Sequence, residues 1–400
     1  MTDARKRELR ETYRRGLLED TIPFWTTRGY DREHGGIMTG LDRQGRVIDT
    51  DKGVWQQGRF AWMLGWLYNN VEKRGEWLDM AKGTLDFMER HCYDTDGRMF
   101  FHVTREGLPI RKRRYAFSES FACIAAAEYA RATGADRYRD LALRTYRFFG
   151  DFVETPPKFT SARPTRGLAH PMIDIATCQR LRDAIGYEEA DARIDRAIAE
   201  IARFHVKDDI RAVMETVAPD GAIIDHAAER TNNPGHAIEG SWFIMEEGRR
   251  RGIPEYVDLG LRMLAYSWER GWDEEYGGML YYRDVYGHPV SEYWQDMKFW
   301  WPQNETILAT LLAHVLTGDP LWEERHRLAH DWAYAHFPDR EYGDWYGYLA
   351  RDGRVCSDVK GNLFKGCFHL PRMQAFCCRF LSQAADPKKN RAAKIPPCGL

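Results

Sequence analysis

The chain has 400 residues, of which 44% are hydrophobic and 30% are charged, and its formal net charge is -2. These proportions are typical of a globular protein, and the interspersed charges indicate neither a nucleic-acid groove nor a polybasic membrane surface. No apolar run reaches the roughly 20 residues that a membrane-spanning helix needs.

The first 20 residues and the cysteines indicate where the protein resides. Residues 1–20 are highly charged and fit an amphipathic helix better than a signal peptide. The eight cysteines occur mostly inside apolar helical patterns and form no C-x-x-C pair, so neither a disulfide framework nor a zinc knuckle is expected. We therefore predict a cytoplasmic protein in a reducing compartment.

After the N-terminal helix, short turn segments alternate with helical patterns. Each turn segment contains an acidic, Gly-containing turn, a short apolar run and a second Gly-containing turn, which together predict a β-hairpin. The helical patterns carry apolar residues at helical spacing. In chain order the elements are a hairpin at 31–47, a helix at 58–71, a hairpin at 94–110, a helix at 118–133, a weaker hairpin at 208–224, a hairpin at 273–290, a helix at 305–316, a hairpin at 339–355 and a helix at 371–384.

The hairpins recur roughly every 60 residues, which is the signature of a repeat architecture. The interval from residue 94 to residue 208 is close to twice that spacing, so one hairpin is missing from the pattern, near 156–166. Roughly six units of a helix pair plus a hairpin result, and such units form an open solenoid or close into a ring. We predict the closed form, an all-α (α/α)6 barrel with short β-hairpins in its loops. It forms one domain over 1–385, followed by a polar tail at 386–400.

Four stretches combine chemically capable side chains with apolar aromatic runs, and each passes from a Gly- or Pro-containing turn into a helix. In a ring of repeats these helix starts lie at the same mouth, so their polar side chains can meet. The stretches are 51–62, 232–243, 297–309 and 364–376, and the candidate residues are Arg59, His236, Glu239, Glu305 and His369.

Each candidate also has a purely structural interpretation. A histidine at a helix start is usually a cap or a satisfied core residue, Arg59 can satisfy helix ends, and Glu305 can belong to a capping arrangement after Pro302. The 14 tryptophans are ambiguous in the same way, because flat aromatic faces bind sugars and bulky rings also pack helices. The shared position of the candidates in four different repeats favours the functional interpretation.

Metal chemistry is the first functional alternative. The H-E-x-x-H motif of zinc proteases is absent, and carboxylate-bridged iron sites need paired Glu-x-x-His motifs that face inward. Glu323 and His326 have that spacing, but the segment 323–336 is interpreted as a solvated helix face. His226 and Glu229 show a similar spacing in a polar segment. The sequence therefore predicts no metal site.

Nucleophilic catalysis fits poorly, because no G-x-S-x-G elbow is present. Glycoside hydrolysis is harder to exclude, since Glu239 and Glu305 can form a carboxylate pair in a barrel of this kind. Two histidines at matching positions instead fit proton abstraction beside a carbonyl group, because imidazole serves as base or acid near neutral pH. Arg59 can stabilise the resulting enediolate. Glu239, one turn after His236, can orient that ring.

These stretches resemble the N-acylglucosamine 2-epimerase family, whose vertebrate members are also called renin-binding proteins. The resemblance covers nearly the whole chain and consists of ordered motifs. They are V-W-x-Q-G-R-x-x-W-M at 54–63, N-P-G-H-x-x-E at 233–239, G-W-D-x-E-Y-G-G at 271–278, M-K-x-W-W-P at 297–302, D-x-E-Y-G-x-W-x-G-Y at 339–348 and F-K-G-C-F-H-x-P-R at 364–372.

The resemblance implies an (α/α)6 barrel and a cofactor-free deprotonation and reprotonation at C2 of an opened aldose. It implies that His236 and His369 are the acid–base pair and that Arg59, Glu239 and Glu305 share their pocket. His170 stands where the vertebrate proteins have no histidine, so we include it among the sugar-binding candidates. The implied sugar-binding tryptophans are Trp301, Trp55 and Trp242.

The predicted reaction is the interconversion of N-acetyl-D-glucosamine and N-acetyl-D-mannosamine. Mannose or cellobiose 2-epimerisation, mannose–fructose isomerisation and a non-catalytic binding role are the alternatives. Family members are commonly activated by ATP, and although no Walker-type segment is present, an allosteric ATP site of another kind is compatible with the sequence. We expect a small-molecule sugar substrate, no nucleic-acid or membrane partner, and a homodimer.

Overall fold

The computed structural model describes residues 1–113, 115–151 and 161–383, so the predicted tail at 386–400 lies outside the described residues. A π-helical turn, Gly16–Thr21, joins the first two helices, and another, Ile201–His205, extends the eighth. The helices are α1 (Asp3–Arg15), α2 (Ile22–Arg28), α3 (Val54–Asn70), α4 (Gly75–His91), α5 (Phe117–Thr133), α6 (Asp136–Gly150), α7 (Ala169–Ile185), α8 (Ala190–Glu200), α9 (Ala227–Arg230), α10 (Pro234–Arg251), α11 (Pro254–Gly271), α12 (Trp300–Thr317), α13 (Pro320–His336) and α14 (His369–Gln383).

Short strands lie in the connections between the helices. They are β1 (Gly40–Leu41), β2 (Val47–Asp49), β3 (Lys52–Gly53), β4 (His102–Val103), β5 (Pro109–Arg111), β6 (Arg166–Gly167), β7 (Val206–Lys207), β8 (Ala212–Val213), β9 (Thr216–Val217), β10 (Thr231–Asn232), β11 (Arg283–Asp284), β12 (Lys298–Phe299), β13 (Tyr348–Leu349) and β14 (Val355–Ser357).

The helices form two concentric rings. The inner helices, α3, α5, α7, α10, α12 and α14, are buried on most sides, and α12 is buried without interruption from Trp300 to Ala313. The outer helices bury one stripe, as in α6, where Tyr138, Leu141 and Tyr146 recur at helical spacing. The predicted (α/α)6 barrel is therefore confirmed. No helix in the described part of the chain is long and apolar enough to cross a membrane.

In the described part of the chain, strand pairing links most units to the next one at the mouth of the barrel. A short strand just before the inner helix pairs antiparallel with a strand from the following unit. A single bridge between Leu41 and Gly361 joins the last unit to the first. The other pairs are β3 with β4, β6 with β9, β10 with β11, and β12 with β13. The prediction of a hairpin at 273–290 was wrong. β11, the strand in this segment, pairs with β10 from the preceding unit and not with a second strand of its own segment.

Three similar ion clusters support these connections, centred on Asp31, Asp273 and Asp339. Each aspartate binds a buried lysine of its own unit and an arginine from the next hairpin. In the last unit, Lys360 Nζ lies 3.1 Å and Arg43 Nε 2.8 Å from the carboxylate of Asp339. Because Arg43 belongs to the first unit, this cluster closes the ring. The corresponding pairs are Lys52 with Asp31, Arg105 with Asp31, Lys298 with Asp273 and Arg351 with Asp273.

The segment 323–336 differs from its prediction. His326 and His330 of α13 are only 1% and 6% exposed. Tyr13 of α1 covers them, with its hydroxyl 2.9 Å from His330 Nδ1 and 3.4 Å from His326 Nε2. The interpretation as a solvated helix face was wrong for these two residues, because the N-terminal helix packs over them. Burial lowers the pKa of His326 to about 4, so its imidazole is neutral at physiological pH.

Candidate active site

The turn Asn233-Pro234-Gly235 sets the start of α10. The side-chain oxygen of Asn233 accepts a hydrogen bond from the backbone N–H of His236 at 3.3 Å and so caps the helix. Pro234 occupies the first turn, where its missing N–H costs no hydrogen bond. His236 thus lies in the first turn of an inner helix, at the mouth of the barrel.

Gly235 is required by a close approach of Trp301. A Cβ atom at position 235 would lie 2.8 Å from two atoms of the Trp301 ring. With glycine there, the Trp301 ring centroid lies 4.9 Å from that of His236 and 5.6 Å from that of His369. One indole therefore contacts the imidazoles at the starts of both α10 and α14.

His369 belongs to a buried network of charged groups. Its Nδ1 lies 2.7 Å from Glu305 Oε1. Arg372, one turn later on α14, donates from Nη2 to Glu305 Oε1 at 2.7 Å and to Glu239 Oε1 at 2.5 Å. Trp242 Nε1 donates to the other oxygen of Glu305 at 2.8 Å. The network fixes Glu305 and through it the orientation of the His369 ring.

His236 has a different partner. Its side chain is one-third exposed, and its Nδ1 lies 3.0 Å from Glu215 Oε1. Glu215 lies between β8 and β9, and its backbone N–H donates to the Asn232 side chain at 2.9 Å. The ring of His236 is thus oriented by Glu215. We expected Glu239 in that role, but its carboxylate accepts from Arg372 instead.

The pKa values of the two histidines are shifted in opposite directions. Burial lowers the pKa of His369 well below its ordinary value; the charge of Glu239 opposes this, while the positive charge of Arg372 adds to it. Burial also acts to lower the pKa of His236, but the negative charge and hydrogen bond of Glu215 outweigh it, so that pKa is raised. At neutral pH, His369 is a base without a proton and His236 retains its proton more readily.

Arg59 lies on aromatic rings at the same mouth. Its guanidinium carbon is 4.3 Å from the ring centroid of Phe121, 4.9 Å from that of Phe368 and 5.5 Å from that of Trp55. Nη1 donates to the Phe364 carbonyl at 3.4 Å, whereas the buried Nε has no hydrogen-bond partner in the described part of the chain. A largely desolvated cation with spare donors can stabilise an oxyanion.

The remaining predicted sugar-binding residues lie in different places. Trp55 is half-buried among aromatic rings, with its centroid 5.2 Å from that of Phe101. Trp242 is almost fully buried and supports Glu305. His170, at the start of α7, is half-buried, with Nε2 3.1 Å from the Phe149 carbonyl oxygen.

One group of side chains has the composition of a metal site. Ligand atoms of Glu239, Glu305 and His369 lie within 4.8 Å of one another. Arg372 Nη2 already binds both carboxylates and lies 3.3 Å from His369 Nδ1. The guanidinium supplies a positive charge between these three side chains, and a metal ion would have to displace it. That no metal is needed stays a prediction.

Sequence reasoning missed Glu215 and Arg372. Arg372 follows His369 by three residues, so helical spacing alone was a signal that both side chains share a face. Glu215 gave no such signal, because it lies 21 residues before His236 and only the fold brings the two side chains together.

The complete arrangement suits proton transfer on both faces of a bound carbon atom. A carboxylate engages Nδ1 of each imidazole, which leaves Nε2 of each as the reacting nitrogen. The opposite pKa shifts separate an acid from a base. Trp301 provides a flat apolar surface against both rings, of the kind that packs on sugar C–H groups.

Comparison with known proteins points to one family. The model of the N-acylglucosamine 2-epimerase (GlcNAc 2-epimerase) family matches residues 35–368. The chain is 34% identical to the N-acylglucosamine 2-epimerase of Mus musculus over 91% of this chain and 90% of the relative, and 33% identical to that of Homo sapiens over 90% and 87%. The solved cellobiose 2-epimerase of Bacillus thermoamylovorans has a TM-score of 0.81 at 20% identity, covering 94% of this chain and 100% of that one.

Proposed function

The chain belongs to the N-acylglucosamine 2-epimerase family and is a carbohydrate epimerase, and we propose that it interconverts N-acetyl-D-glucosamine and N-acetyl-D-mannosamine. The observation that carries this proposal is the pair His236 and His369, held against one Trp301 ring with opposite pKa shifts. The names of the mammalian relatives support an N-acylated substrate.

The proposed reaction begins with the sugar in its open aldehyde form. Nε2 of His369 takes the proton from C2, and the electrons of the broken C–H bond form the C1–C2 double bond of an enolate. The negative charge that develops on O1 is stabilised by Arg59. Nε2 of His236 then gives its proton to the opposite face of C2, and the aldehyde re-forms with inverted configuration. The two histidines exchange roles in the reverse direction.

The buried charges around the pair favour this order of events. Arg59 and Arg372 balance Glu239 and Glu305, so the neutral form of His369 adds no net charge to the interior. His236 carries its proton next to Glu215, at the more exposed side of the site. Glu239 and Glu305 are positioning residues in this scheme, because the contacts found for each are with Arg372, His369 or Trp242.

The test is proton NMR of the purified protein with N-acetylmannosamine in D₂O, with and without ATP. We expect N-acetylglucosamine to appear with deuterium at C2. No conversion by folded protein under either condition would contradict the proposal, and mannose would then be the next substrate to test. His236→Ala distinguishes an enzyme from a non-catalytic binding protein, since only the enzyme loses its function in that variant.

The family resemblance supports two further parts of the proposal, a homodimer and activation by ATP, and the cysteine pattern supports a third, a cytoplasmic location. We propose that the protein is a cytoplasmic homodimer, and that ATP acts, if added, as an activator that takes no part in the proton transfers. Light scattering of the purified protein measures the oligomeric state. Initial rates at increasing ATP concentration, with a non-hydrolysable analogue as control, test activation.

A further inference from the structure

A cavity of about 50 Å³ lies inside the barrel among α3, α5, α7, α10 and α14. Arg59, Glu239 and Arg372 form its wall near the mouth, and all three belong to the candidate active site. The lining continues along α7 from Ile173 to Arg180, about two turns or about 11 Å further from the mouth. The cavity is therefore an inward extension of the active-site pocket.

Most of the cavity wall is apolar. Phe121, Phe368 and Phe376 contribute aromatic rings, and α7 presents Ile173 and Ala176 three residues apart on one face. These two α7 residues are only half-buried although they lie on an inner helix, which fits side chains that face an open space. Sugar hydroxyl groups are poorly suited to such walls, because each would lose hydrogen bonds to water.

Unsatisfied hydrogen-bond donors line the same cavity. The Nε–H groups of Arg59 and Arg372 and the Nε1–H group of Trp62 are buried and have no acceptor among the described residues. A buried donor without an acceptor is costly, so these groups favour a ligand that brings one. Apolar walls with spare N–H donors match a small group that carries a methyl and a carbonyl oxygen.

The position of the cavity relates it to one carbon of the substrate. His236 and His369 exchange the proton at C2, so the substituent on C2 lies within a few bonds of these rings. Arg372, which is 3.3 Å from His369 Nδ1, also lines the cavity. The substituent on C2 therefore lies close to the part of the cavity wall that Arg372 forms.

We propose that this cavity is the acyl pocket, which holds the acetyl group on N2 and makes the enzyme specific for N-acylated hexosamines. The inference rests on the function proposed above and adds the residues that select the substrate. A volume of about 50 Å³ holds roughly three to five water-sized groups, and an acetyl group has three non-hydrogen atoms. Mannose, with a hydroxyl on C2, leaves the pocket without an apolar occupant.

Ala176→Leu fills the pocket without replacing a residue of the proton-transfer machinery. We expect kcat/KM for N-acetylmannosamine to fall at least about tenfold, in line with the effect of about one or two methylene groups on specificity. Ala184→Leu is the matched control, because Ala184 lies on the same helix, is also half-buried and is not part of the cavity wall. Circular dichroism and thermal melting establish that both variants are folded.

Ile173→Ala tests the opposite change, since it enlarges the pocket. We expect the ratio of kcat/KM for N-propanoylmannosamine to that for N-acetylmannosamine to rise roughly tenfold above the wild-type ratio. This readout is a preference between two substrates, so a general loss of activity or stability does not alter it.

A binding measurement separates failure of this inference from failure of the proposed function. Saturation-transfer NMR of N-acetylmannosamine with wild-type protein should show the strongest transfer to the acetyl methyl protons, and Ala176→Leu should remove that preference while Ala184→Leu keeps it. If wild-type protein turns over no sugar, the proposed function is wrong. The transfer to the acetyl methyl protons then still tests whether the cavity binds the acetyl group. Two results would overturn the proposed acyl pocket. One is an acetyl signal equal to the signals of the sugar ring, and the other is an unchanged acyl preference in both Ala176→Leu and Ile173→Ala.

Discussion

The starts of α10 and α14 present the same side chain in opposite surroundings. His236 is one-third exposed and has one carboxylate partner, Glu215, which lies in the loop between β8 and β9. His369 is almost fully buried in a network that contains Glu305 and Arg372. In the reaction that we propose, this difference lets one residue type supply both an acid and a base: the loop partner raises one pKa, and burial lowers the other.

The largest expected effect comes from removing either ring. His236→Asn and His369→Asn should each lower interconversion by at least about 10²-fold, because each deletes one of the two proton-transfer groups. The variants should differ in D₂O. The remaining histidine reaches only one face of C2, so each variant should exchange the C2 proton of one epimer, and the two variants should label opposite epimers.

Mass spectrometry of the separated epimers measures this labelling. Wild-type protein is the control and should label both. Labelling of the same epimer by both variants would mean that the two rings do not face opposite sides of C2.

Removing the positive charge of Arg372, beside His369, should mainly lower the stability of the fold. Arg372→Met leaves Glu239 and Glu305 buried without their shared donor, which should cost about 3–5 kcal/mol of unfolding free energy. Arg327→Met is the control, since its partner Glu324 is exposed and that pair should contribute at most about 1 kcal/mol. Urea denaturation measures the free energy of unfolding of both variants. Equal losses would show that Glu239 and Glu305 remain buried at little cost without Arg372.

The contact that both histidines share can be disturbed through Gly235. Gly235→Ala should displace the Trp301 ring, costing about 1–3 kcal/mol and lowering turnover. Gly75→Ala serves as control, because a Cβ there meets nothing within 4 Å and the loss of chain flexibility should stabilise by up to about 1 kcal/mol. Thermal melting and the epimerisation assay give both readouts. A Gly235→Ala enzyme with wild-type turnover would show that Trp301 need not touch the rings.

The smallest effect should come from Glu215→Gln, which leaves the hydrogen-bond geometry but removes the charge. Glu215 raises the pKa of His236, so its loss should lower that pKa. The acid form of His236 is then lost at lower pH, and the alkaline limb of kcat/KM should move to lower pH with a roughly tenfold drop at the former optimum. Glu215→Asp keeps the negative charge, so its alkaline limb should lie between those of Glu215→Gln and wild type. An unchanged alkaline limb in Glu215→Gln would assign that limb to another group.

The sequence allowed the barrel, and the grouping of several candidate side chains at one mouth, to be predicted for the same reason. Helical periodicity and hairpin spacing are local signals, and a closed ring of repeats brings equivalent positions together. Glu239, Glu305 and His369 therefore meet although they belong to three units. The partner of His236 could not be predicted, because Glu215 lies in a separate loop whose contacts with Asn232 and His236 have no local signature.

The wrong interpretation of α13 has a related cause. The segment around His326 and His330 is rich in charged residues, and periodicity alone places it on the surface. The first helix covers it through Tyr13, a contact between residues 317 positions apart. Charge content indicates how polar a face is, but a packed terminal helix decides whether that face is solvated.

The ion pair between Arg43 and Asp339 joins residues 296 positions apart, and it brings the first and last units side by side. Arg59 contacts Phe368 across the same junction. During synthesis, the first five units emerge with Arg59 and His236 already present but without His369. A chain that is truncated before α14 therefore has neither a closed ring nor a complete acid–base pair. We therefore expect a chain that ends before α14 to be inactive rather than partly active.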